Sequence, residues 1–215
     1  MVEIGEGCGR KTVALITDMS VPLGNAIGNS LEIVESIAVL KGEGPADLTE
    51  ICEALASEML YLAEKGSLED CRALVRETIH NGSALQKLAD MVEAQGGDRA
   101  YIEAPDRFPA AAVKLDILVP KSGSIESMDT EGIGIAAMLL GAGRERADDS
   151  IDYSAGIILT AKTGDSINEG QRLATLHTSD RGKAEAAAKK FQECISFADT
   201  ASERPTLLHE RICFE

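Results

Sequence analysis

The apolar positions change period along the chain, and the changes mark its elements. Thr12-Val13-Ala14-Leu15-Ile16-Thr17-Asp18 is continuously apolar and β-branched, which predicts a short buried strand of the kind a parallel sheet covers on both faces. A turn, Met19-Ser20-Val21-Pro22-Leu23-Gly24, follows it. From about Asn25 or Asn29 to Leu40 the spacing becomes helical, with Leu31, Val34, Ile37 and Ala38 on one face, until Lys41-Gly42-Glu43-Gly44-Pro45 stops the helix. Leu48, Ile51, Leu55, Met59 and Leu62 then recur every three or four residues, predicting a helix capped by Asp47 and ended at Lys65-Gly66. Ser67, with Glu69 and Asp70 in the first turn, opens another that runs through Leu74 and Ile79 to Asn81-Gly82. Ser83 or Ala84 begins a fourth through Leu85, Leu88 and Val92 to Gly96-Gly97. One strand among this many helices needs partners for its backbone groups, and none is visible in the first hundred residues. The simplest expectation is that part of this sheet lies outside the chain.

From about Pro105 the pattern shortens. Val113 to Val119 reads as a strand ended by Pro120, and Met128-Asp129-Thr130 leads into an Ala/Gly-rich helix from Gly132 to about Gly141. Tyr153 to Ala161 and Leu173 to His177 read as strands, with turns at Lys162-Thr163-Gly164-Asp165 and Asn168-Glu169-Gly170-Gln171. An Ala- and Lys-rich helix is predicted from Gly182 to about Asp199, and Pro205 to Ile212 reads as an edge strand. The two tight Gly-containing turns are those of a small β-sandwich and are similar to the corners of biotinyl and lipoyl carrier domains. Lys162 lacks the Met-Lys-Met setting of a carrier lysine, so the shape is expected without the carrier function.

Composition narrows the partners. The 215 residues carry a formal net charge of −15, which argues against phosphate-backbone binding. Aromatic residues are 3% of the chain with no Trp, leaving few stacking platforms for bases or sugars. No apolar run approaches the roughly 18 residues that span a bilayer, and the first residues lack the basic start and apolar core of a secretory signal. Five cysteines at irregular spacing fit reduced thiols, mostly buried, in a cytoplasmic protein. No nucleic-acid or membrane partner is expected.

Most candidate chemistry gives way to simpler readings. His80, His177 and His209 are far apart and show no metal-ligand spacing. Gly132-Ile133-Gly134-Ile135-Ala136-Ala137 matches a relaxed dinucleotide fingerprint, but Glu126 to Glu131 does not read as the buried strand that motif must follow. Asp129 or Thr130 capping a closely packed helix explains it better. The densest constellation runs from Thr17 to Glu35, where a strand feeds a Gly-rich turn and a helix. Such a turn gathers carbonyls and amides around an ion or ligand, and Glu35, about two turns into the helix, points back along it. The competing reading is that the glycines serve close packing alone and Glu35 is solvated.

This stretch resembles the pyrimidine-nucleoside and thymidine phosphorylases, whose pattern runs T-D-M-x-Q-P-L-G-x-x-I-G-N-x-x-E-V-x-E-A-I. Thr17-Asp18-Met19, Pro22-Leu23-Gly24, Ile27-Gly28-Asn29, Glu32 and Glu35 match it, and Val21 stands where the family has Gln. The likeness continues through Leu40 to Pro45, Glu93 to Gly97, Met128 to Thr130, Asp149 to Gly156 and Gly164-Asp165. It implies an α/β fold: residues 1–104 as the C-terminal part of a mixed α/β domain, and 105–215 as a small, hammerhead-like α+β domain. It also implies that this chain corresponds to the family's C-terminal half. The Lys-His-Ser-Thr-Gly-Gly phosphate loop and the Arg, Ser and Lys that hold the base would lie upstream, so no catalytic residue is assigned here.

One family site does map onto this half. The resemblance implies a potassium ion held by the backbone carbonyls of Leu23 and Ala26 and by the Glu35 carboxylate, with its other ligands on the phosphate loop. The implied reaction, a pentosyl transfer, is phosphorolysis of a pyrimidine nucleoside by phosphate as co-substrate, giving free base and a pentose 1-phosphate in a cytoplasmic homodimer. A chain holding only this half is expected to be inactive alone. The alternative is a non-catalytic binding or scaffolding module derived from the same half.

Overall fold

A computed structural model describes residues 1–144 and 146–213. In chain order the elements are α1 (Val2–Gly7), β1 (Val13–Thr17), β2 (Ala26–Ile27), α2 (Asn29–Leu40), α3 (Ala46–Leu62), α4 (Leu68–His80), α5 (Ser83–Ala94), α6 (Ala100–Glu103), β3 (Val113–Leu118), β4 (Gly123–Met128), α7 (Thr130–Ala137), β5 (Gly156–Leu159), β6 (Ser166–Ile167), β7 (Arg172–Thr178), α8 (Arg181–Glu193), β8 (Ile195–Ala198) and β9 (Leu208–Cys213). The class is mixed α/β, and the chain forms two compact units, each built from more than one stretch of sequence. One comprises residues 1–18, 38–99 and 206–215, and the other residues 19–37 and 100–205.

In the first unit α3 packs on α4 and α4 on α5. Ser67 caps α4 with a reciprocal pair, its hydroxyl taking the Asp70 amide while the Asp70 carboxylate takes the Ser67 amide. Asp47 lies in the first turn of α3 rather than at its cap, because the helix starts directly after Pro45. Strand β1 is antiparallel to β9, with Val13 opposite Cys213 and Ile16 opposite Glu210. That corrects the parallel expectation and supplies one neighbour from the far end of the chain. The other edge of β1 has no strand beside it among the described residues. Arg211 of β9 reaches α3, where its guanidinium forks onto Glu58 at 2.6 and 3.0 Å and lies over the Tyr61 ring.

The second unit holds a four-stranded sheet, β2-β5-β7-β3, and a three-stranded sheet, β6-β4-β8, all antiparallel. Both share one core with α7 and α8, built around Ile125, Ile133, Leu140, Ile157, Leu176 and Phe191. Strand β4 overturns, for Glu126 to Met128 only, the expectation that residues 126–131 are not strand; Asp129 caps α7, and Thr130 and Glu131 lie in its first turn. Two serines and a glutamate make β4 read as polar, yet Ile125 is fully buried. It feeds α7 directly, and the Asp129 side chain caps that helix through the Gly132 amide. Helix α8 ends at Glu193 rather than near Asp199, since residues 195–198 pair with β4 and place Ile195 opposite Met128. Strand β5 is shorter than the Tyr153–Ala161 run suggested, and β9 starts at Leu208 rather than Pro205. Cys71 and Cys194 are buried, whereas Cys8, Cys52 and Cys213 are exposed, contrary to the expectation that most would be buried.

Candidate functional site

The turn between β1 and α2 is built by glycines whose backbones approach other chain closely. Gly28 has φ +137°, and a Cβ there would stand 2.5 Å from the Ala155 carbonyl oxygen; one on Gly156 would meet the Ile27 oxygen at 2.3 Å. Close packing is therefore one purpose of this motif. It lets β2 lie against β5, where the Leu159 amide donates to the Asn25 carbonyl at 2.8 Å. Helix α2 is pinned next to it. The Ser30 amide donates to the Tyr153 carbonyl at 3.1 Å, and Asn29 Nδ2 donates to the Ala142 carbonyl at 2.8 Å.

Glu35 is not simply solvated. Half-buried on α2, it points back along the helix, and its Oε1 accepts the backbone amides of Asn25 at 2.9 Å and Ala26 at 3.1 Å. Glu32 does the same for the Gly28 amide at 2.8 Å. The register explains why the Ala26 amide is available. Asn25 bonds across to Leu159, so Ala26, opposite Ile158, falls at the alternate position, where both N–H and C=O point off the sheet edge. The amide meets Glu35, and the Ala26 carbonyl shares that edge. The structure thus brings Ala26 and Glu35 together. Leu23 sits two residues before Asn25 with an exposed side chain, in a turn closed by Gly24 at φ +70°.

Two backbone carbonyls and a carboxylate oxygen are hard oxygen donors of modest total charge, a set that suits a monovalent cation better than a transition metal. Among the described residues no group of His, Cys, Asp and Glu is arranged to hold a metal. The histidines sit apart. His177 is buried on β7, and burial together with the nearby Lys114 charge holds its pKa below the usual value. His209 faces Asp18 at 3.6 Å between β9 and the end of β1. Gly132 and Gly134 lie in α7 after a strand of an antiparallel sheet, without the parallel βαβ setting of a dinucleotide site.

Sequence reasoning weighed Lys162 only as a carrier lysine and missed its contact with the turn between β1 and α2. Its ammonium donates to the carbonyls of Pro22 at 3.3 Å and Gly24 at 2.9 Å, across about 140 positions of chain. No local pattern signals such a contact, because a lysine in a surface turn reads as solvated.

Residues 124–198 match the family model described as the pyrimidine nucleoside phosphorylase C-terminal domain. Over 213 residues, 99% of its length, the chain is 45% identical to the pyrimidine-nucleoside phosphorylase of Staphylococcus aureus (strain USA300). The chain resembles the C-terminal half of pyrimidine-nucleoside phosphorylases. The phosphorylase of Staphylococcus haemolyticus (strain JCSC1435) matches at the same identity over the same span. The chain covers 49% of each of these relatives, about half their length, and corresponds to their C-terminal part. Within the phosphorylase domain match fall β4, α7, β5, β6, β7, α8 and β8, which make up most of the second unit. Among the described residues no helix is long and apolar enough to cross a membrane.

Proposed function

We propose that the chain supplies the C-terminal part of an enzyme that splits pyrimidine nucleosides with phosphate, yielding free base and a pentose 1-phosphate. The observation that carries this reading is the 45% identity sustained over 213 residues to proteins named pyrimidine-nucleoside phosphorylase. Phosphorolysis needs a pocket for the phosphate dianion and stabilisation of the charge that develops on the departing base. The Lys-His-Ser-Thr-Gly-Gly pattern of the family's phosphate loop does not occur in this sequence. Its part is therefore scaffold, walls and one ion half-site, and the chain alone does not turn over.

In that half-site the Ala26 and Leu23 carbonyls and the second Glu35 oxygen would hold potassium, since Glu35 Oε1 is committed to two amides. Bound there, the ion would supply positive charge shared between this turn and a phosphate-holding loop. The chain's own contribution is to keep the turn in shape: Gly28 against Ala155 and Glu35 on Asn25 and Ala26.

The test is phosphate-dependent release of uracil and thymine from uridine and thymidine by the purified 215-residue chain. An intact-mass measurement excludes a longer contaminant. No release above the phosphate-free blank is expected. Turnover by the chain alone would overturn the assignment of substrate binding to another segment and require a phosphate site among these residues.

A further inference from the structure

The carbonyls that Lys162 contacts stand on either side of Leu23, whose own carbonyl belongs to the ion half-site. The ammonium is 3.3 Å from the Pro22 oxygen and 2.9 Å from the Gly24 oxygen. Carbonyl dipoles converging on one positive centre is the arrangement a backbone turn offers a bound alkali ion, and an ammonium group resembles potassium in size and charge. Here the positive centre is covalently part of the chain.

The backbone that carries it is held at more than one point. The Lys162 amide donates to Asp165 Oδ2 at 2.9 Å, and Asp165 is itself paired with Arg204. Three residues earlier, the Leu159 amide ties β5 to Asn25 at the other end of the same turn. A lysine held for solubility alone needs no such anchoring, and its half-buried head would lose less entropy in water.

We propose that Lys162 is a built-in cation for the turn over residues 22–26. Its ammonium fixes the peptide groups flanking Leu23, so the Leu23 and Ala26 carbonyls and the amides on Glu35 are set before any ion arrives. Lys162 is thus a positioning residue for the half-site, distinct from Leu23, Ala26 and Glu35. The purpose assigned to it rests on the phosphorylase reading of those three residues. Its test reads the turn alone, so failure here leaves that reading standing.

The experiment is amide hydrogen exchange by NMR on the 215-residue chain, in potassium chloride and in choline chloride at equal ionic strength. Wild type, Lys162→Met and Lys162→Arg are compared at Asn25 and Ala26, with Leu176 in the middle of β7 as reference. The wild type should protect Asn25 and Ala26 equally in both salts. Lys162→Met should lose about tenfold or more of that protection in choline chloride, the cost of two charge-assisted bonds, while Leu176 is unchanged. Potassium chloride should restore much of the loss, and Lys162→Arg should keep protection in either salt. Three results would overturn the proposal: undiminished protection in Lys162→Met, a loss that potassium does not repair, or a wild-type turn that opens when potassium is withdrawn. The wild-type arm decides even if the methionine variant folds poorly.

Discussion

Glu35 is the residue on which the half-site reading presses hardest, and its substitutions have separable costs. In Glu35→Ala the amides of Asn25 and Ala26, now at 2.9 and 3.1 Å from a carboxylate oxygen, lose their acceptor. Each hydrogen bond to a charged group contributes about 1.5–3 kcal/mol when shielded from water. Glu35 is half-buried, so water replaces part of what is lost, and the pair together should be worth about 2–3 kcal/mol. Helix propensity pulls the other way by only a few tenths, roughly the Glu-to-Ala difference. Glu35→Gln keeps an acceptor oxygen without the charge and should cost about 1 kcal/mol. Urea unfolding followed by far-UV circular dichroism reads these values, and an unchanged slope shows that the same surface is exposed. Amide NMR on the same samples should show the Asn25 and Ala26 protons moving upfield in the order wild type, Gln, Ala. The reasoning is refuted if Glu35→Ala lies within about 0.5 kcal/mol of wild type, or if Gln costs as much as Ala.

Other positions give sharper yes-or-no outcomes. Gly28→Ala should destabilise by about 3 kcal/mol, because its Cβ meets backbone at a φ that L residues avoid. Gly134→Ala, where a Cβ meets nothing within 4 Å, should instead stabilise α7 by about 0.5–1 kcal/mol; denaturant midpoints compare the two. Arg211→Met leaves Glu58, 9% exposed, without its partner and should cost about 2–3 kcal/mol, much of it recovered when Glu58→Gln is added. Burial raises the Asp152 pKa, but hydrogen bonds from Ser154 and Ser179 outweigh it and hold the carboxyl below its ordinary 3.8. A depressed folded value means the stabilisation is present above the unfolded value and is lost as pH falls through the folded one. Thermal melts from neutral to acid pH should therefore show Asp152→Asn lowering stability at pH 7 and flattening the decline on the acid side of 3.8.

The helices of the first hundred residues were readable because helical periodicity and Gly or Pro punctuation agree there, as at Ser67 and Lys41-Gly42. Strands failed where local pattern and final burial part company. Gly123–Met128 alternates poorly and carries Glu126, and only the packing of Ile125 among distant elements makes it core. Residues 195–198 follow soon after an Ala- and Lys-rich helix, and their β character appears only when β4 lies beside them. The partner of β1 was hidden because Leu208–Cys213 stands almost the whole chain away. At the candidate site, Glu35 pointing back at its own turn was legible from helix geometry. The Lys162 contact was not, since nothing in a Lys-Thr-Gly-Asp turn reports which carbonyls its side chain will reach.

The proposed function makes this chain the C-terminal part of a nucleoside phosphorylase. Its most direct test is reconstitution: the chain is mixed with a polypeptide covering the part of the Staphylococcus aureus relative that it does not span. Phosphate-dependent release of uracil or thymine is then measured in potassium buffer. Turnover from the mixture and from neither component alone is the predicted result. A mixture that associates, by light scattering, yet releases no base would contradict the claim and shift the reading to a scaffolding module.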